Sequence, residues 1–223
     1  MRAGAGLVCR RPPLRAIRYR GQGRLLDVGC GAAASLVRLK ELGWKPTGID
    51  VSDRAVQSAR SLSIEAHHCN LASFARTAPR RFDLIRFASV LEHLEDPLTN
   101  LRHAAQLLEN GGRILLILPN SDSWMFRVFK SYWFALELPR HLCHFTSRTL
   151  SLAVASAGLS IESIHLSTRP RDLQRSLAYV FPRLRRTLES GMARRILSPF
   201  VGLLDVVGGG DQMVAVLKRA LDP

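Results

Sequence analysis

The stretch Arg24-Leu25-Leu26-Asp27-Val28-Gly29-Cys30-Gly31 decides the fold. It is an apolar run that reaches an acid, followed by two glycines and then by an alanine-rich helical pattern from Ala32. This order predicts a buried parallel strand, a tight turn and the N-terminus of a helix. Gly29 and Gly31 permit a sharp turn and the close approach of a ligand to the main chain. Because open α/β sheets bind ligands at the carboxyl ends of their strands, the stretch predicts a ligand site.

Composition places the chain among globular proteins. Its 223 residues suit one domain, and 47% of them are hydrophobic. No apolar run reaches the roughly 18 residues that cross a bilayer, and no apolar signal region follows the first arginines. The cysteines Cys9, Cys30, Cys69 and Cys143 are widely spaced without CxxC pairs, which argues against a disulfide framework or a zinc site. We therefore expect a cytoplasmic protein with no bound metal.

The net charge of +14 is concentrated in two segments. Residues 1–24 carry seven arginines and no acid, and residues 169–195 carry eight arginines against two acids. The region 25–168 is nearly balanced. Such segments suit anionic lipid, nucleic acid or an acidic partner, although solvated basic faces explain the same composition.

Strand patterns alternate with helical patterns along the chain. After the first strand at 24–28, strands are predicted at 45–51, 64–69, 82–88, 113–118, 159–166 and 212–217. This alternation predicts an α/β fold, a doubly wound, mostly parallel, seven-stranded Rossmann-like sheet with a helical insertion before the last strand. Arg86 interrupts the apolar run 82–88, so we expect it at an outward-facing position.

Helix boundaries are signalled by capping residues and glycines. Ser52 is predicted to cap the helix after the second strand, and Asp96 with Pro97 begins the helix before the fifth strand. The sequence Asn110-Gly111-Gly112 is predicted to end that helix, and Thr146 to cap the helix before Gly158.

Three segments depart from the regular alternation. Residues 1–23 form a basic lead-in to a domain at 24–223. Residues 120–145 hold seven of the 15 aromatic residues and are predicted to form a lid over the sheet edge. Residues 170–207 form a basic helical insertion, with amphipathic helices expected around 172–190 and 192–207.

Two kinds of cofactor compete for the glycine turn. Gly29-x-Gly31-x-x-Ala34 satisfies the dinucleotide fingerprint, and Asp50 follows at the distance of a ribose-binding acid. However, Asp27 would repel a pyrophosphate and attract an amino-acid ammonium group. A ligand that combines adenosine with a cationic amino acid fits better, and S-adenosylmethionine has both parts.

Four motifs in order resemble those of class I S-adenosylmethionine-dependent methyltransferases. Residues 25–31 resemble the first motif and Gly48-Ile49-Asp50-Val51-Ser52 the second. Residues 82–85 with 90–97 resemble the fourth-strand region of the small-molecule subgroup, which includes enzymes similar to ubiquinone-pathway O-methyltransferases. Residues 108–118 resemble the fifth-strand motif, and residues 139–146 a segment common in that subgroup.

The resemblance implies a cofactor site at the carboxyl ends of the first, second and fourth strands. Asp50 would accept hydrogen bonds from the ribose hydroxyls, because a terminal carboxylate can accept both. The full set of implied cofactor-binding residues is Asp27, Gly29, Cys30, Gly31, Asp50, Val51, Asn70, Leu71, Ala88 and Ser89. Asn70 and Leu71 would lie near adenine, and Ala88 and Ser89 beside the methionine group.

Methyl transfer from a sulfonium is a direct displacement in which positioning supplies much of the acceleration, so it demands neither a metal nor a covalent nucleophile. An oxygen nucleophile gains from a general base, and histidine is the residue most easily tuned to neutral pH. The candidates are His93, His141 and His144. A histidine that only fixes its loop, or a surface Glu92-His93 pair, explains the same residues.

The sequence predicts methyl transfer to a small-molecule or lipid-linked acceptor, at oxygen. The basic insertion adds peripheral contact with an anionic membrane as one option, a subunit interface as another, and completion of the substrate pocket as a third. Nucleic acid is a poor fit because no sequence-reading motif is present. Two alternatives remain open: a nicotinamide-dependent oxidoreductase, and a catalytically silent Rossmann-like protein that binds membrane or nucleic acid.

Overall fold

A seven-stranded sheet organises the computed structural model, which describes residues 20–78 and 81–220. The strand order is β3-β2-β1-β4-β5-β7-β6, with β7 antiparallel to its neighbours β5 and β6 and the other pairs parallel. The predicted doubly wound, mostly parallel sheet is therefore confirmed. The strands are β1 Arg24–Val28, β2 Lys45–Asp50, β3 Glu65–His68, β4 Phe82–Ala88, β5 Leu108–Pro119, β6 Leu159–Ser167 and β7 Gln212–Arg219.

Helices cover the faces of this sheet and form the insertion before β7. They are α1 Ala34–Glu41, α2 Asp53–Ser61, α3 Leu71–Thr77, α4 Pro97–Leu107, α5 Trp124–Phe129, α6 Ser147–Ser156, α7 Pro170–Val180, α8 Arg185–Leu188 and α9 Gly191–Gly208. Ser52, Asp96 and Thr146 accept hydrogen bonds from the first turns of α2, α4 and α6, as their sequence positions predict. Within the described residues, none of these helices is both long and apolar enough to cross a membrane.

The central strands are buried on both faces, as parallel strands covered by helices must be. One face packs β1, β4 and β5 against α3, α4 and α6, with Leu26, Ile85 and Leu116 fully buried. The other face packs the same strands against α1 and α2 through Leu25, Leu36 and others. The sheet is thereby held rigidly, which fixes the turns at its carboxyl edge.

The expected end of the helix before β5 is wrong. α4 ends at Leu107, and Asn110-Gly111-Gly112 lies inside β5, where the pairing with β4 shifts between Phe82 and Leu84. This irregularity places the Glu109 carboxylate beside Arg24. The Arg24 guanidinium donates hydrogen bonds to Glu109 and to Asp83. The glycines therefore accommodate a bulge that ties β5 to the start of β1.

The aromatic segment and the basic insertion share a hydrophobic cluster of their own. Its buried members are Met125, Phe129, Trp133, Leu173 and Val201. The segment at 120–145 therefore packs on α7 and α9 as well as on the sheet edge. Much of its aromatic content is thus explained by packing.

The first insertion helix is shorter than expected. It ends at Val180, and a 3₁₀ turn at Pro182–Leu184 separates it from the short α8. Pro182 lacks a backbone N–H and restricts the residue before it, which explains the break. The predicted lead-in at 1–23 lies outside the described residues up to position 19.

Candidate active site

The glycine turn joins β1 to α1 and is fixed against the second strand. The backbone N–H groups of Gly29 and Cys30 both donate to the carbonyl oxygen of Ile49, at 2.8 and 3.1 Å. Gly29 has a φ of 67°, and a Cβ there would lie 2.7 Å from a methyl carbon of Val90. Glycine is required for both reasons, so the turn is held close to the chain that leaves β4.

Asp50 connects this turn to the start of α2. Its Oδ2 accepts from the N–H of Gly31 at 2.9 Å, and its Oδ1 accepts from the N–H of Ser52 at 2.9 Å. Because Ser52 itself caps α2, the carboxylate is not needed as the helix cap. Each carboxylate oxygen keeps acceptor capacity for a ligand hydroxyl. Val51, the next residue, leaves 73% of its surface exposed at the same edge.

Asp27 is not the free carboxylate that the sequence suggested. Both of its oxygens accept from Arg86, with Nε–Oδ1 and Nη2–Oδ2 distances of 2.6 Å, and Arg86 also donates to the Ser35 hydroxyl at 2.7 Å. The two side chains are buried, at 2% and 7% exposure. Burial raises the pKa of Asp27, and the guanidinium opposes that shift.

Two expectations are corrected by this ion pair. Arg86 does not face outward; it lies beneath the glycine turn, where β1 and β4 are neighbours. The electrostatic argument from Asp27 is also wrong as stated, because Arg86 already compensates the charge that was expected to attract an ammonium group. Other residues at the carboxyl edge of the sheet must therefore distinguish S-adenosylmethionine from a dinucleotide.

The remaining cofactor candidates differ in accessibility. Cys30 is buried against Gly48, and burial, with the nearby Asp27 and Asp50, raises the pKa of its thiol to about 11. It is therefore a neutral packing residue beneath the turn.

The two residues proposed to lie near adenine are largely committed to the fold. Asn70 caps α3, with its Oδ1 accepting from Ser73 N at 2.9 Å. Leu71 is 2% exposed in the main core, so its side chain does not line an open surface.

The chain leaving β4 bends sharply at Ser89. This residue has a φ of 56°, which is uncommon outside glycine, and its N–H donates to Ile117 O at 2.8 Å. Ala88 before it is half-buried and Ser89 is exposed. The strained turn sits beside the glycine turn, a location where backbone strain often accompanies a ligand site.

A second cluster lies just beyond this bend, on the 3₁₀ turn Leu91–His93. The N–H groups of Leu142 and Cys143 both donate to the carbonyl oxygen of Glu92, which ties this turn to the segment 139–146. The rings of His93 and His141 have centroids 4.6 Å apart. The His144 ring is 6.1 Å from that of His141. The structure thus brings together the three histidines that the sequence proposed.

Each histidine is oriented by a main-chain carbonyl. Nδ1 of His93 lies 2.8 Å from Arg140 O, Nδ1 of His141 lies 2.8 Å from Ala135 O, and Nε2 of His144 lies 3.0 Å from Leu136 O. Because a carbonyl only accepts, each of these nitrogens carries the proton. Burial lowers the pKa of His141.

Glu92 is the residue that sequence reasoning undervalued. It is 1% exposed, and neither carboxylate oxygen has a hydrogen-bond partner. Burial raises its pKa to about 7. The option of a surface Glu92-His93 pair is wrong for Glu92, because the loop at 139–146 covers it. Ligand atoms of Glu92, His93 and His141 lie within 4.8 Å of one another.

The fold and this edge define a class I S-adenosylmethionine-dependent methyltransferase. A methyltransferase domain family matches residues 5–164, and the chain belongs to that family. The cofactor is accordingly S-adenosylmethionine, and neither alternative function is favoured.

The chain is 32% identical over 125 residues to a ubiquinone biosynthesis O-methyltransferase of Aromatoleum aromaticum, covering 52% of this chain and 53% of that protein. The chain spans between about half and two thirds of the length of curated relatives that it matches.

Two solved structures show the same fold. A SAM-dependent methyltransferase from Archaeoglobus fulgidus superposes with a TM-score of 0.63 at 18% identity, covering 91% of this chain and 88% of that one. A magnesium protoporphyrin IX methyltransferase from Synechocystis, with bound SAH, has a TM-score of 0.57 at 15% identity, covering 88% and 74%.

The Arg86→Met variant tests the buried ion pair. Removing the guanidinium leaves Asp27 charged and buried without a partner, so we expect the free energy of unfolding to fall by about 3–5 kcal/mol. Urea unfolding followed by circular dichroism measures the change. Combining Asp27→Asn with Arg86→Met should recover part of the loss, since the uncompensated charge is removed as well.

Arg127→Met is the matched control, because Arg127 forms an exposed ion pair with Asp122. This substitution should lower the free energy of unfolding by less than about 1 kcal/mol. Equal urea-unfolding midpoints for Arg86→Met and Arg127→Met would contradict the conclusion that the buried ion pair stabilises the fold.

Proposed function

We propose that this protein transfers a methyl group from S-adenosylmethionine to an oxygen atom of a small-molecule or lipid-linked acceptor. The proposal rests on one observation: the glycine turn and the cluster of Glu92 with the histidines lie next to each other at the carboxyl end of β4. Val90 packs against the glycine turn, and the buried Glu92 follows two residues later. The printed name of the relatives, ubiquinone biosynthesis O-methyltransferase, supports oxygen as the acceptor atom.

The cofactor half of this proposal rests on the edge formed by β1 and β2. The Asp50 carboxylate, already oriented by Gly31 and Ser52, would accept from the ribose hydroxyls. Val51 offers an exposed apolar surface to adenine. Gly31 has a φ of 53° and no atom within 4 Å of the place a Cβ would occupy, which leaves room for a ligand. The glycine turn and Ala88-Ser89 would flank the methionine group.

The acceptor half is the cluster on the other side of Val90. With Nδ1 of His93 donating to Arg140 O, its Nε2 presents a lone pair. Nε2 of His141 instead lies 3.1 Å from the Oε2 atom of Glu137. For His144 the free lone pair is on Nδ1, because Nε2 donates to Leu136 O. His93 and His144 can therefore accept a hydrogen bond from an acceptor hydroxyl, whereas both ring nitrogens of His141 already face acceptor oxygens, Ala135 O and Glu137 Oε2. The methyl transfer itself is a direct displacement, so orientation of the oxygen toward the sulfonium methyl is the main requirement.

The insertion supports a lipid-linked acceptor. Four apolar side chains of α9 recur at helical spacing and are 59–74% exposed: Met192, Ile196, Phe200 and Leu203. Arginines occur on the same helix and on the two elements before it: Arg194 and Arg195 on α9, Arg185 and Arg186 on α8, and Arg183 in the 3₁₀ turn. An exposed apolar stripe with basic neighbours is the pattern of a helix that lies at an anionic membrane surface. We propose that this stripe docks there and presents the site to a lipid-linked substrate.

The Asp50→Ala variant tests the cofactor half. Loss of the carboxylate removes the proposed ribose acceptor, so binding of S-adenosylmethionine in calorimetry should weaken by at least a hundredfold while the circular dichroism spectrum is kept. Asp53→Ala is the control, since Asp53 lies three residues further along, on α2, and its side chain accepts a hydrogen bond from Gln57 of the same helix. Unchanged affinity in Asp50→Ala would refute this half of the proposal.

Membrane docking is tested by sedimentation with lipid vesicles. The double variant Ile196→Ser, Phe200→Ser should lose most of its binding to vesicles containing phosphatidylglycerol, because two apolar anchors are removed. Leu152→Ser, at a comparably exposed position on α6, should bind as the unaltered protein does. Equal sedimentation of the double variant and the control, or no binding by the unaltered protein, would rule out this docking surface.

A further inference from the structure

We propose that a cavity between the aromatic segment and the basic insertion binds an aromatic carboxylate, and that the methyl acceptor is a hydroxylated compound of this class. The first clause rests on the side chains of the cavity alone, and the second rests on the proposed function. The cavity has a volume of about 400 Å³ and lies between the 3₁₀ turn Phe134–Leu136 and the helices α7 and α8. This volume is in the range of small-molecule sites.

Two arginines of α7, Arg171 and Arg175, bring positive charge to the wall of the cavity. Among the described residues, neither guanidinium has a hydrogen-bond or ion-pair partner. Two unpaired cations in one concave site attract an anion, because their fields add there. The cavity therefore favours a negatively charged ligand.

The two acids of the same wall are already paired. Glu189 Oε1 lies 3.4 Å from the Nε atom of Arg185, and Glu137 Oε1 lies 3.3 Å from the Nη1 atom of Arg140. Neither acid compensates the α7 arginines by a direct contact. The surplus of positive charge in the cavity thus belongs to α7.

The guanidinium of Arg175 is held flat by an aromatic ring. Its Cζ atom lies 4.3 Å from the centroid of the Phe134 ring, and the Tyr179 ring is 6.2 Å from that of Phe134. Stacking leaves the N–H groups at the edge of the guanidinium, where they match the two oxygens of a carboxylate. The two rings add an apolar surface for the ring of the ligand. An aromatic carboxylate combines both complementary features.

Buried polar side chains of α7 fix the walls of the cavity. Ser176 is fully buried, and its Oγ accepts from the N–H of Phe134 at 2.9 Å. Gln174 is 2% exposed, and its Nε2 donates to the carbonyl oxygens of Leu188 and Ser190 at 2.5 and 2.9 Å. Because α7 is tied to the elements on both of its sides, the site is formed before a ligand binds, which lowers the cost of binding.

One side chain connects this cavity to the histidine cluster. Glu137 lines the cavity, and its Oε2 lies 3.1 Å from Nε2 of His141, whose ring centroid is 4.6 Å from that of His93. An acceptor with its carboxylate on α7 would extend its hydroxyl toward this cluster. In the transfer, the hydroxyl oxygen bonds to the methyl carbon as the bond from that carbon to the sulfonium sulfur breaks. The hydroxyl proton passes to Nε2 of His93 or to solvent.

The first clause is tested by calorimetry on the full-length protein with salicylate and 3-hydroxy-2-naphthoate. Their amides are the matched probes, because they keep the ring and the hydroxyl but lose the charge. We expect one acid to bind per chain, about tenfold or more tightly than its amide. Equal affinities for an acid and its amide, or no saturable binding of either acid, would overturn the assignment.

Variants locate the binding of the acid. Arg175→Gln should weaken it about tenfold or more, because the two-point contact is lost, and Arg171→Gln should weaken it about threefold. Arg186→Gln is the control, since Arg186 is exposed on α8 and does not line the cavity. Equal affinity in Arg175→Gln and Arg186→Gln contradicts the proposal. Vesicle binding that depends on Arg175 without any binding of the acids assigns this arginine to the membrane surface instead.

The second clause is tested by transfer of labelled methyl groups from S-adenosylmethionine to a panel of hydroxylated aromatic acids and their amides. The acids should react at a kcat/KM about tenfold higher or more, and Arg175→Gln should remove this preference by raising KM. Equal rates with acids and amides, or no transfer to any acid, overturn this clause. Affinity for S-adenosylmethionine, measured on the same samples, tests the cofactor half of the proposed function separately, and transfer to the amides alone leaves the proposed O-methylation intact.

Discussion

A carboxylate buried at the edge of a parallel sheet needs a positive charge or hydrogen-bond donors beside it. The structure around this edge depends on which groups, if any, compensate each buried carboxylate. Asp27 and Glu92 are both almost fully buried at the carboxyl ends of neighbouring strands. Asp27 is compensated within the chain by a two-point contact with Arg86. Glu92 has no such partner among the described residues. The first carboxylate therefore stabilises the fold, whereas the second is buried without a compensating group among the described residues.

In the proposed function, this contrast divides the edge into a cofactor half and an acceptor half. Beneath the glycine turn, the ion pair of Asp27 with Arg86 and the hydrogen bond to Ser35 hold β1, β4 and α1 together. The turn is consequently rigid, and Asp50 can present an oriented carboxylate above it. Beyond Val90, loop contacts hold the cluster of Glu92 and the histidines, and the Glu92 carboxylate has no hydrogen-bond partner among the described residues. A rigid cofactor half beside a cluster of polar side chains suits a direct displacement, because that reaction depends on the alignment of the two reactants.

Much of this fold could be predicted from local sequence. The strand at 24–28, the glycine turn and the caps at Ser52, Asp96 and Thr146 each follow from a few neighbouring residues, and all are observed. The motif order also predicted the family. Arg86 could not be placed this way, because its partner is 59 residues distant and periodicity only marks it as misplaced in an apolar run. Glu92 was undervalued for the same reason: only the covering loop at 139–146 shows that it is buried. A charged residue within an otherwise buried strand is the signal that would have suggested a buried ion pair.

The most direct test of this account is a crystal structure of the complex with S-adenosylhomocysteine. We predict that the ribose hydroxyls lie within hydrogen-bond distance of the Asp50 carboxylate. A cofactor bound away from Asp50 would contradict the assignment of the edge.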